Sequence, residues 1–486
     1  MHELEASAPL LPEIFALHGR WRANREALVC DDVRETWGEF ARSVNRFGNA
    51  LLKHGVKPRE RVAMLMSNGV PMVHALFGTM NAGAVSVPLN VSISDEAALG
   101  MLHDSGASAI VATPDQRARI DALRNRLGPD VRLFLLADRP AAGWTCWETF
   151  IADTADAPPA VRIDDDDVLN IIYSSGTTGV PKGIVHTHRG RRDWAYDLGL
   201  ALRYHGAARS LLTIGLYSNI SWVSMLCTLL AGGTLVVHRR FDAAASLETV
   251  RRERITHTAL VPIQLQRMVE CMRGGDHDVS SMHAMMSCGS PLRAALKQEL
   301  FEYFSCGIIE LYGLTEGVIT TLDPEDAKGR WSSVGKPLMG TDIRIIGDDD
   351  REAPQGEAGE IVSRGRVTMP GYFNRPEATS AAVWRDAEGR PWLRTGDIGR
   401  LDEQNFLYIV DRKKDLILSG GQNVYPQDIE AVLVTHAGVD DAAVIGLPSR
   451  RWEETPVAIV VPRDPASFDP DALRTWCNER VGTQQR

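Results

Sequence analysis

One stretch of the sequence reads Ile171-Ile172-Tyr173-Ser174-Ser175-Gly176-Thr177-Thr178-Gly179-Val180-Pro181-Lys182-Gly183. Its first three residues are apolar and typical of a buried strand, and glycines, hydroxyl side chains and one lysine follow. Backbone amides, hydroxyls and a lysine together form a cradle for a polyphosphate. The common nucleotide loop carries Ser or Thr after its lysine to hold magnesium, whereas Gly183 follows Lys182 here. The stretch therefore predicts a phosphate-binding loop of a different type, placed after a strand.

The residues before this loop alternate between helical and strand patterns. Apolar residues recur at helical spacing over 39–54 and 71–82, and short apolar runs occupy 62–66, 84–89, 109–112 and 131–136. This βαβα rhythm is typical of substantially parallel sheets flanked by helices. We therefore predict an α/β fold, with mixed α/β and α+β parts.

The composition excludes several classes of protein. The chain has 486 residues, which predicts more than one domain, and its net charge of −10 disfavours a nucleic-acid partner. Its 7 cysteines are scattered without a Cys-x-x-Cys pair, which favours reduced thiols in the cytoplasm. Residues 211–237 carry no charge, but their polar residues and glycines favour a buried helix, a Gly-Gly turn and a strand over a membrane span. We therefore expect a cytoplasmic protein with no integral membrane segment.

Further motifs follow the loop in order along the chain. They are Tyr312-Gly313-Leu314-Thr315-Glu316, Gly371-Tyr372-Phe373-Asn374-Arg375-Pro376-Glu377-Ala378-Thr379, Thr395-Gly396-Asp397, and Asp411-Arg412-Lys413-Lys414-Asp415 with Ser419-Gly420-Gly421-Gln422-Asn423-Val424-Tyr425-Pro426. Together with the loop they resemble the adenylate-forming superfamily, in its acyl- and aryl-CoA synthetase branch. Five separated motifs in the same order leave little room for coincidence.

The resemblance implies both an architecture and a reaction. It implies a large N-terminal domain over 1–410, holding the ATP and acid pocket, and a small mobile C-terminal lid domain over 411–486. ATP and Mg²⁺ would activate a carboxylic acid as an acyl-adenylate, and coenzyme A as co-substrate would then take the acyl group. Lys414 would be the hinge, and Ser419, Gly420 and Gly421 would face the coenzyme A channel.

The resemblance also implies the residues that bind the nucleotide. Lys182, Thr315 and Glu316 would be catalytic: Lys182 and Thr315 would contact phosphates, and Glu316 would hold Mg²⁺. Tyr312 would stack on adenine, and Asp397 and Arg412 would contact the ribose. Taken alone, a tyrosine in a Gly-flanked turn is more often a packing residue, Thr-Glu is usually a helix cap, and an Asp after a Gly is usually a turn residue. The implied nucleotide-binding set is Ser174, Ser175, Gly176, Thr177, Thr178, Gly179, Lys182, Gly289, Ser290, Pro291, Tyr312, Gly313, Thr315, Asp397 and Arg412.

The acid pocket departs from many relatives. Ser218 stands where they carry a histidine, in the stretch Gly215-Leu216-Tyr217-Ser218-Asn219-Ile220-Ser221-Trp222. Tyr217, Ser218, Trp222, Met225, Cys288 and Gly313 are the candidate pocket residues, with core packing as the alternative for each. No Arg or Lys in this region could pair with a second carboxylate, and no acidic residue could pair with an ammonium. These features predict an apolar monocarboxylic acid, fatty or aryl, as the substrate.

Several alternatives remain open at the level of sequence. The chain has no lysine after Lys414, whereas the family's C-terminal domain runs on to a late adenylation lysine; truncation is favoured over true loss. The acceptor could be a carrier-protein thiol in place of coenzyme A, and a non-catalytic acyl- or nucleotide-binding protein is a third reading. A homodimer is possible. His186 and His188 follow the loop and fit a helix start or packing better than catalysis.

Overall fold

The structure, a computed structural model, describes residues 8–137, 140–174, 181–419, 422–449, 453–482 and 485–486. The chain forms two compact units. The first comprises residues 1–332, 337–342 and 364–382, and the second comprises 333–336, 343–363 and 383–486. The boundary predicted between residues 410 and 411 lies inside the second unit and stays a prediction.

The helices of the described residues alternate with strands through most of the first unit. They are α1 Leu11–Trp21, α2 Trp37–Lys53, α3 Val70–Asn81, α4 Asp95–Ser105, α5 Pro114–Leu123, α6 Trp147–Ile151, α7 His188–Ala201, α8 Asn219–Ala231, α9 Ala243–Glu253, α10 Pro262–Arg273, α11 Ala294–Tyr303, α12 Pro324–Ala327, α13 Pro376–Ala381, α14 Pro426–Leu433 and α15 Pro470–Asn478.

The strands are mostly short. They are β1 Glu26–Cys30, β2 Val33–Thr36, β3 Arg61–Leu65, β4 Val85–Pro88, β5 Ala109–Ala112, β6 Leu133–Leu136, β7 Thr145–Cys146, β8 Val168–Ser174, β9 Lys182–Thr187, β10 Arg209–Leu212, β11 Thr234–Val237, β12 His257–Leu260, β13 Ala284–Ser287, β14 Ile309–Gly313, β15 Ile319–Leu322, β16 Lys336–Pro337, β17 Thr341–Ile346, β18 Gly359–Gly365, β19 Val383–Arg385, β20 Pro391–Leu401, β21 Leu407–Arg412, β22 Ile417–Ser419, β23 Gln422–Val424, β24 Val439–Ser449 and β25 Glu453–Pro462.

Two sheets with parallel centres organise the first unit. A nine-stranded sheet has the order β16-β15-β14-β13-β12-β10-β11-β1-β2, and its pairs from β14 to β1 are parallel. A seven-stranded sheet has the order β7-β6-β5-β3-β4-β8-β9, in which only the last pair, β8 with β9, is antiparallel. Helices cover these sheets, so the predicted α/β fold is confirmed.

Local sequence signals explain how the covering helices begin and what they bury. Thr36 caps α2 and forms a capping box with Glu39, and the apolar face that follows includes the fully buried Phe40 and Phe47. The uncharged stretch over 211–237 forms α8, a turn at Gly232 with φ of 76°, and β11, as predicted. Within the described residues, no helix has the length and apolar character needed to cross a membrane.

The second unit has two smaller sheets. One has the order β17-β18-β20-β19 with β21 paired to β20, and the other has the order β23-β22-β25-β24. Helices α14 and α15 pack with the second sheet around Ile417, Leu433 and Leu473. Asp469 caps α15, and Pro470 occupies its first position.

Candidate active site

The predicted phosphate loop joins two paired strands. β8 and β9 form a hairpin in which Ser174 lies directly opposite Lys182 at the loop end. Pairing of adjacent strands fixes where the lysine side chain starts, because Cβ atoms of directly paired residues lie about 5 Å apart. The loop residues between them that were predicted to bind phosphate lie outside the described residues: Ser175, Gly176, Thr177, Thr178 and Gly179.

A tyrosine links the loop lysine to the predicted magnesium ligand. The Tyr372 hydroxyl donates to Glu316 Oε1 at 3.0 Å, and Lys182 Nζ lies 5.0 Å from the centroid of the Tyr372 ring. Partial burial and the neighbouring carboxylate raise the pKa of Tyr372, so its hydroxyl keeps its proton and donates. The structure thus brings Lys182 and Glu316 to one side chain, although they lie far apart in the sequence.

Two neighbouring parallel strands present the predicted adenine-binding residues. β13 is followed by Gly289, Ser290 and Pro291, and β14 ends at Tyr312 and Gly313, so both segments lie at the same edge of the sheet. Gly289 has φ of 93°, and a Cβ there would lie 3.0 Å from Ile220, so a glycine suits this turn. None of these contacts tests the stacking of Tyr312 on adenine, which stays a prediction.

A buried ion pair, Lys297 with Glu310, lies next to the segments that carry Pro291 and Tyr312. Lys297 on α11 pairs with Glu310 on β14, with side chains 1% and 7% exposed. Lys297 Nζ also donates to the Trp331 carbonyl at 2.6 Å, and Glu310 Oε1 accepts from the Leu292 amide at 3.3 Å. Burial raises the pKa of Glu310. The pair therefore ties the strand that carries Tyr312 to the chain just after Pro291.

A cavity of about 500 Å³ opens beside these strand ends. Of the predicted pocket residues, Tyr217, Ser218, Cys288 and Gly313 line it, and so do Ser174, Gly289 and Thr315 from the nucleotide set. Burial raises the pKa of the Cys288 thiol to about 12, so this side chain is a neutral wall. The remaining lining residues are mainly apolar: Pro88, Leu89, Asn90, Ile93, Met101, Ile172, Tyr173, Trp194, Leu198, Asn219, Ile220, Val223, Leu311, Leu314 and Ile319.

Trp222 and Met225 do not line this cavity, which corrects the predicted pocket. Both have 0% exposure and belong to the core behind α8. The helical repeat explains the difference, because Ile220 and Val223 face the cavity while Trp222 and Met225 lie on another side of the helix. For these two residues the core-packing alternative describes the structure.

Helix α7 supplies cavity residues that the sequence reading missed. Trp194 and Leu198 reach the cavity from this helix, one turn apart. Arg191, one turn earlier, is fully buried with its guanidinium carbon 4.7 Å from the Trp194 ring and 5.2 Å from the Trp222 ring. The Arg191 guanidinium of α7 therefore contacts Trp222 of α8, although no Arg or Lys lies near α8 in the sequence. Helical spacing of Arg191, Trp194 and Leu198 was the available signal.

The second unit carries the predicted ribose-binding pair. Asp397 on β20 and Arg412 on β21 are directly paired, and Arg412 Nε lies 3.5 Å from Asp397 Oδ1. Asp397 is buried and Arg412 is exposed. Lys414 lies exposed in the turn after β21, and Ser419 ends β22. Gly420 and Gly421 lie outside the described residues.

Comparisons with known proteins identify the family and the fold of the chain. Residues 16–373 match the family of AMP-binding enzymes, and residues 428–486 match the C-terminal domain of AMP-binding enzymes. A feruloyl-CoA synthase from Amycolatopsis sp is 36% identical over 92% of this chain and 87% of its own length. The long-chain-fatty-acid–CoA ligase FadD13 of Mycobacterium tuberculosis is 34% identical over 93% and 87%. The o-succinylbenzoate CoA synthetase MenE of Bacillus subtilis, solved with its acyl-adenylate OSB-AMP, superposes with a TM-score of 0.85 at 28% identity, covering 98% of this chain and 93% of MenE.

Proposed function

This chain belongs to the family of AMP-binding enzymes, and we propose that it joins an apolar monocarboxylic acid, fatty or aryl, to coenzyme A. Like its relatives it is an ATP-dependent acid–thiol ligase that forms AMP. The observation that carries the choice of acid is the cavity itself. Apolar and aromatic side chains form most of its walls, and Ser174, Gly313 and Thr315 of the predicted nucleotide set also line it.

The first step joins two anions. A carboxylate oxygen of the acid attacks the α-phosphorus of ATP, the bond to pyrophosphate breaks, and an acyl-adenylate forms. Charge repulsion and alignment are the main barriers, so the site needs fixed positive charge more than a protein nucleophile. In the proposed mechanism Lys182 supplies this charge at the phosphates, and Thr315, which lines the cavity, donates to the α-phosphate.

The donor chemistry also fits Mg²⁺. No cluster of three or more metal-binding side chains occurs within the described part of the chain, and Mg²⁺ bound with a nucleotide needs only one or two carboxylates plus phosphate oxygens. The Glu316 carboxylate supplies one such oxygen donor. When bound there, Mg²⁺ would neutralise charge on the phosphates during pyrophosphate release.

The second step transfers the acyl group to a thiol. The coenzyme A sulfur attacks the carbonyl carbon of the acyl-adenylate, the bond to phosphate breaks, and AMP leaves. The names of the relatives support coenzyme A as the acceptor. All seven cysteines of the chain are free, which supports a reducing, cytoplasmic setting.

A panel of acids tests the proposal. We expect AMP release with fatty and aryl monocarboxylic acids, at least tenfold faster than with short dicarboxylic acids such as malonate, and equimolar loss of the coenzyme A thiol. Lys182→Met should lower the rate of AMP formation by at least 100-fold without altering the melting temperature. AMP release without thiol loss would favour a carrier-protein acceptor, and a chain that binds ATP but releases no AMP with any acid would favour a binding protein.

A further inference from the structure

Asp104 on α4 binds two side chains that lie far from it in the sequence. The Tyr173 hydroxyl donates to Asp104 Oδ2 at 2.7 Å, and Arg375 Nη2 donates to Asp104 Oδ1 at 2.5 Å. The Asp104 side chain is only 13% exposed, so solvent screens these contacts less than it screens a pair at an open surface. Burial and the neighbouring carboxylate raise the pKa of Tyr173, so its hydroxyl keeps its proton and donates.

The chain at Tyr173 leads directly into the predicted phosphate loop and lines the acid cavity. Tyr173 is the residue before Ser174 on β8, and both residues line the cavity. Tyr173 is directly paired with Gly183 on β9, where a Cβ would lie only 3.2 Å from the Tyr173 Cζ atom. The ring of Tyr173 therefore packs on Gly183, while its hydroxyl is bound to α4.

Helix α4 contributes to the same cavity. Met101 lies one helical turn before Asp104, is buried, and lines the cavity. Asp104 therefore connects two parts of the cavity wall, one on α4 and one at the end of β8. Arg375 adds a further attachment, because it follows Phe373, whose amide donates to the Gly183 carbonyl of β9 at 2.7 Å.

We propose that Asp104 is a positioning residue that sets the width of the acid cavity by holding Tyr173 to α4. Asp104 does not line the cavity itself, so it acts through Tyr173. With the hydroxyl bound, the end of β8 keeps a fixed distance from Met101; without the carboxylate, the ring and the strand end gain freedom and the cavity admits a wider acid. This role rests on the proposed function, which places the acid in this cavity.

The test compares the activation of two acids of different width. AMP release is measured with benzoate and 4-tert-butylbenzoate, or with hexanoate and 5,5-dimethylhexanoate where the parent prefers fatty acids. The ratio of the two kcat/KM values does not depend on the folded fraction of the enzyme, because both acids meet the same active molecules. For Asp104→Ala and for Tyr173→Phe we expect this ratio to shift toward the wider acid by about fivefold or more. Asp104→Asn keeps a hydrogen-bonding group for both partners, so its ratio should stay within about twofold of the parent.

Asp121 offers a matched control in the same unit. It accepts from Trp144 Nε1 at 2.7 Å and lies 3.4 Å from Arg124 Nη2, so it has the same kinds of partner as Asp104. These three control residues do not line the cavity. Asp121→Ala should therefore leave the ratio within about twofold of the parent, even where it lowers the melting temperature, because distant sites act independently.

The double variant Asp104→Ala with Tyr173→Phe tests whether the two residues act together. Both changes break the same hydrogen bond, so the double variant should show the same ratio as either single variant. Shifts that multiply in the double variant would overturn the role of Asp104. The same conclusion would follow from ratios within about twofold of the parent in both single variants, or from an equal shift in Asp121→Ala.

Two further comparisons keep the outcome decisive. If melting shows that Asp104→Ala is unfolded, Tyr173→Phe decides the test alone, since it removes only one oxygen atom. A parent that releases no AMP with any acid of the panel would contradict the proposed function itself. An active parent with unchanged ratios in the variants would contradict only the role of Asp104.

Discussion

Replacing Lys297 with methionine should destabilise the first unit in a pH-dependent way. The Glu310 side chain is only 7% exposed and accepts a hydrogen bond from the Leu292 amide at 3.3 Å. The substitution removes the Lys297 ammonium that pairs with this carboxylate. Removing one partner of a buried pair costs about 3–5 kcal/mol of unfolding free energy, because the remaining charge stays desolvated. In thermal unfolding this should lower the melting temperature by roughly 5 °C or more.

The pH dependence identifies the cause. Burial already raises the pKa of Glu310 above its unfolded value, and loss of Lys297 raises it further. The penalty is therefore largest above the folded pKa, where the native carboxylate is charged, and shrinks as the pH falls and native Glu310 takes up a proton. We expect a larger loss of stability at pH 8 than at pH 5. Lys297→Met with Glu310→Gln should lose less than the sum of the single changes, by about 2 kcal/mol.

An exposed pair gives the control. Arg251 and Glu248 form an ion pair one helical turn apart, with side chains 57% and 48% exposed. Arg251→Met should cost less than about 1 kcal/mol, since solvent screens such pairs. The reasoning about Lys297 would be refuted by the same loss at pH 5 and pH 8, or by strictly additive effects in the double variant.

Two buried groups of α7 yield the remaining predictions. Arg191 has no carboxylate partner among the described residues; its Nε donates to Asn170 Oδ1 at 3.1 Å, and burial lowers its pKa to about 9. Arg191→Met should therefore leave stability unchanged or raise it by about 1–2 kcal/mol, and a loss above about 2 kcal/mol in chemical denaturation would contradict this. Burial also lowers the pKa of His188 to about 4. Between pH 6.5 and 4 the unfolded chain binds a proton at His188 that the native state does not bind. The free energy of unfolding therefore decreases as the pH is lowered, by up to about 1.4 kcal/mol per pH unit. His188→Gln should remove that part of the slope, and an unchanged slope would show that His188 titrates normally.

Features that depend only on residues close together in the sequence could be predicted without the structure. Apolar periodicity over 39–54 and 71–82 gave α2 and α3 to within two residues, because helices bury a face that repeats every 3.6 residues. The Asp469 cap of α15 is a local feature of the same kind, because its side chain accepts hydrogen bonds from the amides of Asp471 and Ala472. The order of motifs predicted the family that the comparisons confirm.

The sequence by itself therefore determined the α/β fold, the strand before the predicted phosphate loop and the family. Only the tertiary structure decided that Trp194 lines the cavity while Trp222 and Met225 face the core, because α8 carries no charge on any side and its pattern does not say which side meets a cavity. It also brought Tyr372 into contact with both Lys182 and Glu316. Those contacts join segments far apart in the chain, and which distant side chains meet depends on how whole layers pack, which no local pattern encodes.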